Sequence, residues 1–193
     1  MVDAAGAVAL DYEQARYSKV AILLHWAIAL LIILNWPLGY FRGAFPRDWQ
    51  IITLHKSIGF TVLALTLVRI GWRLAHRPPA FDPVLKRWET GLAHAVHMLF
   101  YLLLLALPIS GWVMGSAGTR GGTTSYFWLF PIGPLPIAQS EELHDSMEAL
   151  HGLMGWAMLA LVILHVAGAL KHHLEGHRHL LRRMAPFLYR RRA

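Results

Sequence analysis

Histidine is the residue type through which this chain is best equipped to do chemistry. The 193 residues contain 12 His, against 11 Asp and Glu together and no Cys. Six of the histidines fall inside long apolar segments: His25, His55, His94, His97, His151 and His165. An imidazole in hydrocarbon is costly, so each needs a hydrogen-bond partner on a neighbouring helix or a role as a ligand. The spacing of the six separates these two interpretations better than any single residue does.

His151 and His165 lie on one face of the same predicted helix. They are 14 residues apart, close to four helical turns, and their separation along the axis is about 21 Å. A helix that crosses the bilayer therefore holds one imidazole near each side. Two histidines on other segments match these depths: His25 is level with His165, and His55 is level with His151. The four residues form two pairs, each contributed by two helices.

Two facing imidazoles can bind a haem iron from both axial sides, and the flat macrocycle then needs space beside each ligand. In a helix, that space is bordered by the residue four positions further along. This residue is small after each paired histidine: Ala29, Gly59, Gly155 and Ala169. After the other two histidines it is large: Met98 and Tyr101. The pattern favours two bis-His haems, although small residues also promote plain helix packing.

A zinc or copper site is the competing interpretation. Such a site needs several ligands that converge at one depth, often with carboxylates, and no segment interior carries Asp or Glu. The lack of Cys disfavours soft-metal transport. It also excludes a disulfide scaffold, a zinc ribbon, an iron–sulfur cluster and covalently attached c-type haem. Two non-covalent b haems (iron protoporphyrin IX) are the cofactors that this pattern predicts.

Four apolar segments must position these histidines. About 20 mostly apolar residues cross a bilayer, and the predicted spans are residues 20–41, 49–70, 92–115 and 149–172. The composition is 56% hydrophobic and 15% charged, which argues against an ordinary soluble domain and against disorder. The sequence predicts an all-α integral membrane protein, a four-transmembrane-helix bundle holding two b haems. We expect residues 1–193 to form one membrane domain that ends in a basic cytoplasmic tail, residues 173–193.

The basic residues predict the orientation of the bundle. Of the 18 Lys and Arg residues, 14 lie before the first span, between the second and third spans, or after the fourth. The positive-inside rule then places both termini in the cytoplasm of a multi-pass inner-membrane protein. The net charge of +7 follows from this topology and from contact with anionic lipid, so it indicates no nucleic-acid partner.

Cations near the span ends are candidates for contacts with anions. Arg42, Arg47 and Lys56 fall on the predicted outer side, where the positive-inside rule does not require them. They could steer an anionic donor towards the protein or pair with haem propionates. On the inner side, Arg69 and Arg73 could bind the propionates of the other haem or serve as topology charges.

A series of motifs follows in a fixed order along the chain. They are Y-S-K-V-A-I-L-L-H-W (Tyr17 to Trp26), F-R-G-A-F-P-R (Phe41 to Arg47), L-H-K-S-I-G (Leu54 to Gly59), V-R-I-G-W-R (Val68 to Arg73), G-L-A-H-A-V-H (Gly91 to His97), L-P-I-S-G-W (Leu107 to Trp112), and L-H-G-L-M-G with L-H-V-A-G-A-L-K-H-H between Leu150 and His173. Together, from about Tyr17 to Pro186, they resemble the bacterial di-haem cytochrome b561 family. The cytochrome b subunits of nickel–iron hydrogenases and formate dehydrogenases are similar more distantly.

The resemblance implies residue roles. The family takes one haem ligand from each of helices one and two and two from helix four, which corresponds here to His25, His55, His151 and His165. These are the same four histidines that pair by their predicted depth in the bilayer. Among the histidines that could contact a quinone carbonyl or carry protons, the resemblance favours His172. His94, His97 and His173 are further candidates, and the first two could equally form only hydrogen bonds between helices.

The resemblance also implies an activity. The free-standing members oxidise superoxide and pass electrons to ubiquinone, so the chain is predicted to be a superoxide:ubiquinone oxidoreductase. Its partners would be membrane lipid, quinone and a one-electron donor on the outer side. The alternative is an electron-transfer membrane-anchor subunit that connects a redox partner protein to quinone. A metal or solute transporter is the third hypothesis, and haem content would separate it from the other two.

Overall fold

A computed structural model describes residues 17–77, 79, 84–119 and 122–189. The predicted N-terminal part of the membrane domain before residue 17 and the end of the predicted tail, residues 190–193, lie outside the described residues. Four long helices dominate the remainder: α1 (Lys19–Tyr40), α2 (Ile51–Ala75), α3 (Arg87–Ala117) and α4 (Glu141–Leu174). All four are long and apolar enough to cross a membrane. The predicted helical four-span membrane fold is confirmed.

Local signals in the sequence explain where two of these helices begin. The hydroxyl of Ser18 accepts a hydrogen bond from Ala21 N at 3.2 Å, and that of Ser140 accepts one from Leu143 N at 3.2 Å. Each is an N-cap serine, which satisfies a free amide of the first turn. Helix α4 has 34 residues and a length of about 51 Å. Because the hydrocarbon core is about 30 Å thick, the charged turns at the start of α4 extend beyond it.

The helices pack as neighbouring pairs, α1 on α2, α2 on α3 and α3 on α4. Their inward faces meet in a small buried cluster formed by Ile28, Ile58, Val62, Leu104 and Met158. The outward faces are apolar and exposed, which is the pattern of a bundle solvated by lipid rather than water. This packing brings residues from α1, α2, α3 and α4 towards a shared interior.

The loop between α3 and α4 contains a β-hairpin that the sequence analysis did not predict. Strand β1 (Thr124–Tyr126) pairs antiparallel with β2 (Phe130–Ile132). The hairpin lies on the N-terminal end of α2, where Phe127 N donates to Ser57 Oγ at 2.9 Å. This end of the bundle is called the outer end, and the opposite end the inner end, after the predicted orientation. The hydroxyls of Tyr126 and Thr61 are 3.0 Å apart. These contacts fold the loop down onto the outer end of the bundle.

The inner end of the bundle is covered by part of the predicted basic tail. A short helix, α5 (Arg178–Arg182), is followed by a 3₁₀ helix (Pro186–Tyr189). Between them, the carbonyl of Met184 accepts a hydrogen bond from Trp26 Nε1 at 2.8 Å, and Ala185 is fully buried. This stretch of the chain is therefore packed beneath α1.

Candidate functional site

The structure brings His55 of α2 and His151 of α4 opposite each other at the outer end of the bundle, with their ring planes at 76°. Their ring centroids are 6.1 Å apart, and both side chains are half-buried. His55 Nδ1 donates to the carbonyl of Asn35 at 3.1 Å, and His151 Nδ1 lies 2.9 Å from Ser110 Oγ. Hydrogen bonds at Nδ1 leave Nε2 of each ring for a ligand, the usual arrangement around a metal-binding histidine.

Two glycines allow the backbone to approach these rings. A Cβ at Gly39 would lie 2.6 Å from Cε1 of His55, and one at Gly111 would lie 3.2 Å from Cε1 of His151. Any larger residue at position 39 would overlap the imidazole. Neither glycine follows from the spacing within one helix, because each lies on a different helix from the histidine that it adjoins.

A cavity of about 640 Å³ opens beside the outer pair, a size in the usual range for cofactor sites. Gly59 and Gly155, two of the small residues predicted to border a macrocycle, both line it. A Cβ at Gly59 would meet nothing within 4 Å, so open space lies in front of that residue. Asn35 also lines the cavity, and its buried Oδ1 has no hydrogen-bond partner among the described residues. The space and the donor set fit a haem.

At the inner end, His25 of α1 and His165 of α4 are the second facing pair. Their centroids are 6.2 Å apart. His97 of α3 joins them, 5.8 Å from His165, and the ring of Phe100 packs edge-on against His165 at 5.4 Å. The bulky Tyr101 four residues after His97 predicts no macrocycle beside that ring. The sequence signal for its contact with His165 is depth, since His97 lies close to the inner end of its span.

The distances between the ring centroids of the paired histidines can be compared with simple coordination geometry. A coordinating imidazole nitrogen lies about 1.1 Å from its ring centroid and about 2.0–2.1 Å from the metal, so two axial imidazoles have centroids about 6.2–6.4 Å apart. The separation of His25 and His165, 6.2 Å, lies at the lower edge of this range, and that of His55 and His151, 6.1 Å, lies 0.1 Å below it. His97 is closer to His165, at 5.8 Å.

Two of the three predicted outer cations, Arg42 and Lys56, border the cavity at the outer pair, and Arg47 does not. Arg42 Nη2 pairs with Glu148 Oε1 of α4 at 2.8 Å, and both residues line the cavity. Lys56 lines it as well, and within the described part of the chain no carboxylate lies within salt-bridge distance of its ammonium. An ammonium next to His55 without a carboxylate partner is suited to bind an anion.

The predicted inner cations share a smaller cavity of about 80 Å³. Arg69 is half-buried and its Nη1 donates to the carbonyl of Ala21 at 3.0 Å. Arg73 is exposed, and its guanidinium lies 5.8 Å from the ring centroid of Tyr101, a cation–π distance. Arg69 is therefore partly engaged with the backbone, and both side chains remain at the inner end of the bundle.

The remaining polar candidates lie away from the two pairs. His172 Nδ1 is 3.4 Å from Glu175 Oε2 at the inner end of α4. His94 Nδ1 is 2.9 Å from the carbonyl of Thr90, one turn earlier on α3. A different type of cluster, His144, Asp145 and Glu148, brings ligand atoms within 4.8 Å of one another. That cluster is at the outer end of α4 and is not in the interior of the bundle.

Comparison with known proteins decides the family. The sequence profile of prokaryotic cytochrome b561 matches residues 16–187. The chain belongs to the prokaryotic cytochrome b561 family. It is 34% identical over 173 residues to a probable superoxide oxidase, CybB, of Yersinia pestis, which covers 89% of this chain and 96% of that one. It is 31% identical over 176 residues to cytochrome b561 homolog 2 of Escherichia coli K12, covering 88% and 90%.

Membership confirms the resemblance drawn from the motifs. A further relative, cytochrome b562 of Cereibacter sphaeroides, is 30% identical over 185 residues, covering 90% of this chain and 98% of that one. As a member of the cytochrome b561 family, the chain is a multi-pass membrane protein that binds b haem and transfers electrons. Its oxidoreductase character follows from the family.

Proposed function

We propose that the chain binds two b haems and transfers electrons from superoxide on the outer side to ubiquinone in the membrane. His55 and His151 would be the axial ligands of the outer haem, and His25 and His165 those of the inner haem. The observation that carries the proposal is the presence of two imidazole pairs, each at a separation suited to one iron between them. Each haem, when bound, supplies reversible one-electron chemistry.

The proposed orientation places both termini in the cytoplasm of a bacterial cell. The Lys and Arg distribution supports it through the positive-inside rule. Residues 1–193 would form a single membrane domain. The His55/His151 end and the hairpin would then face the periplasm, and the His25/His165 end would face the cytoplasm.

Lys56 and Arg42 support an anionic donor. Both line the cavity next to the outer pair, and Lys56 has no carboxylate partner among the described residues. Superoxide is an anion, and positive charge at the entrance of a cleft raises the encounter rate of such a donor. The same cations are the alternative partners of haem propionates, and of the two only Arg42 is already paired with a carboxylate, that of Glu148. The relative named as a probable superoxide oxidase supports superoxide as the donor.

The overall reaction must balance two one-electron oxidations against one two-electron reduction. Two superoxide anions each lose one electron and leave as dioxygen. One ubiquinone gains two electrons and two protons and becomes ubiquinol. His172, next to the carboxylate of Glu175 at the inner end of α4, is the proposed partner for quinone or its protons, because imidazole exchanges protons near neutral pH. Arg69 and Arg73 would bind the inner propionates.

Haem analysis of the purified protein tests the ligand set. A pyridine haemochrome assay should give about two b haems per chain in the wild type. Replacing His55 or His151 with Ala should remove one haem, and replacing His25 or His165 should remove the other. A protein without haem b would contradict the proposal, and so would full retention of both haems in any of the four variants.

The donor is tested separately by mixing the oxidised protein with a superoxide source in the presence of ubiquinone. Rapid haem reduction, with ubiquinol formed in the ratio of one per two superoxide anions consumed, is the expected result. If both haems are present and superoxide does not reduce them, the anchor-subunit alternative takes the place of this activity. The ligand set and the donor can therefore fail independently.

A further inference from the structure

Ser110 lies directly behind the proposed outer haem ligand on α4. Its Oγ is 2.9 Å from His151 Nδ1. The same hydroxyl donates to the carbonyl of Leu107, also at 2.9 Å, and the residue is only 6% exposed. A serine hydroxyl has one proton and two lone pairs. Because its proton is used on Leu107, the contact with His151 has the imidazole Nδ1–H as the donor and Ser110 Oγ as the acceptor.

The neighbouring residues restrict the ring as well. Gly111 brings the backbone of α3 against the imidazole, so that a Cβ there would lie 3.2 Å from Cε1 of His151. One turn of α3 thus adjoins His151 at two points, the Ser110 hydroxyl and Gly111. The hydroxyl determines which ring nitrogen carries the proton, and the missing side chain at Gly111 leaves room for the ring.

We propose that Ser110 is a positioning residue that fixes the Nδ1–H tautomer of His151 and lowers the reduction potential of the outer haem. The inference rests on the proposed ligand set, because it requires Nε2 of His151 to be on the iron. A ring N–H that donates a hydrogen bond makes the imidazole a more basic ligand. A more basic axial ligand stabilises ferric over ferrous iron, so the potential falls.

The two outer imidazoles are held by different acceptors. His55 donates to the backbone carbonyl of Asn35, which no substitution of a side chain removes directly. His151 donates to a side-chain hydroxyl and has the Leu107 carbonyl as a second acceptor beside it, so the side-chain part of its hydrogen bonding depends on the residue type at position 110. Ser110 is therefore the position at which the sequence can adjust the outer haem without changing a ligand.

The test is a redox titration of three purified holoproteins. Ser110→Ala removes the side-chain acceptor and leaves only the Leu107 carbonyl. Ser110→Thr keeps a hydroxyl, and Ser116→Ala is the matched control. Ser116 is also a buried serine of α3, and its Oγ donates to the carbonyl of Trp112 and accepts from Leu135 N. Among the described residues, no hydrogen bond joins it to a histidine. Electron paramagnetic resonance of the oxidised proteins reports the axial ligand field of each haem independently of activity.

For Ser110→Ala we expect two haems per chain and a higher midpoint for one of them only. At the wild-type midpoint, the ratio of reduced to oxidised outer haem should rise about three- to tenfold, the effect of one modest hydrogen bond. A tenfold change corresponds to 59 mV for a one-electron couple. Ser110→Thr should restore the wild-type midpoint, and Ser116→Ala should leave it unchanged. Among the three variants, only Ser110→Ala should shift the electron paramagnetic resonance signal of the outer haem.

Several results would overturn the inference. If Ser110→Ala binds both haems and the midpoint potential of the outer haem is unchanged, the inference is wrong and the ligand set stands. If Ser116→Ala shifts that potential equally, the effect is merely structural. If Ser110→Ala yields no holoprotein, Ser110→Cys keeps the volume with a weak sulfur acceptor and must shift the midpoint in the same direction. Retention of both haems by His151→Ala would refute the ligand set and this inference with it.

Discussion

Gly39 is the position at which a single methyl group should act most selectively. In Gly39→Ala the new Cβ would lie 2.6 Å from Cε1 and 2.9 Å from Nδ1 of His55. Carbon atoms pack at about 3.5–4.0 Å, so the ring would have to retreat by about 0.9 Å or more. Metal–ligand distances tolerate only about 0.2 Å. The outer haem should therefore be weakened while the inner haem, about 21 Å away along α4, is retained.

The surroundings of His55 determine the size of the effect. The ring cannot move freely, because its Nδ1 donates to the carbonyl of Asn35, one turn before Gly39 on the same face of α1. Overpacking of this kind costs about 1–3 kcal/mol, which corresponds to about a 5- to 150-fold loss in an equilibrium constant. We expect the affinity for the outer haem to fall within that range and the purified protein to hold between one and two haems.

The assay is haem content by pyridine haemochrome, combined with haem titration of protein depleted in the outer haem. Gly71→Ala is the matched control, since Gly71 also lies inside a membrane helix and a Cβ there meets nothing within 4 Å. Both substitutions remove the same intrinsic penalty of glycine in a helix, about 1 kcal/mol. Wild-type haem content and affinity in Gly39→Ala would refute the reasoning, because His55 could then not be a ligand in the position described.

Three further perturbations address other parts of the site. The Cβ added in Gly59→Ala would meet no protein atom within 4 Å, so the apoprotein should fold normally. The methyl group should displace a macrocycle in the cavity, and the outer haem content should fall. Full haem content would place the macrocycle elsewhere. His97→Ala should keep two haems, whereas His25→Ala should lose the inner one, and the opposite result in the haemochrome assay would exchange their roles. Lys56→Gln should slow haem reduction by superoxide about tenfold or more at low ionic strength in stopped-flow measurements. Arg47→Gln is the control, since Arg47 is outside the cavity lining, and it should have less effect. Equal rates in the wild type and both variants would rule out steering by Lys56.

The proposals are separable because different groups of residues support them. Haem binding rests on the four paired histidines and the glycines beside them. The anionic donor rests on Lys56 and Arg42, and the adjustment of the potential rests on Ser110. A failed superoxide assay therefore leaves the proposals on haem binding and on the adjustment of the potential intact.

The sequence predicted the fold class and the depth of each histidine because both depend on local periodicity. Hydropathy over about 20 residues identifies a span, and 3.6 residues per turn places His151 and His165 on one face. The small residue four positions further on, such as Gly59, also follows from that period. None of these inferences requires knowing which helices are neighbours.

Only the tertiary structure decided what surrounds each ring. Gly39 and Ser110 are on helices other than those of the histidines they contact, and the sequence separations are 16 and 41 residues. The same is true of His97 beside His165, and of the hairpin over the outer end of the bundle. Such contacts depend on how the helices are ordered and rotated against one another, and packing between distant segments, not periodicity within one, determines that arrangement.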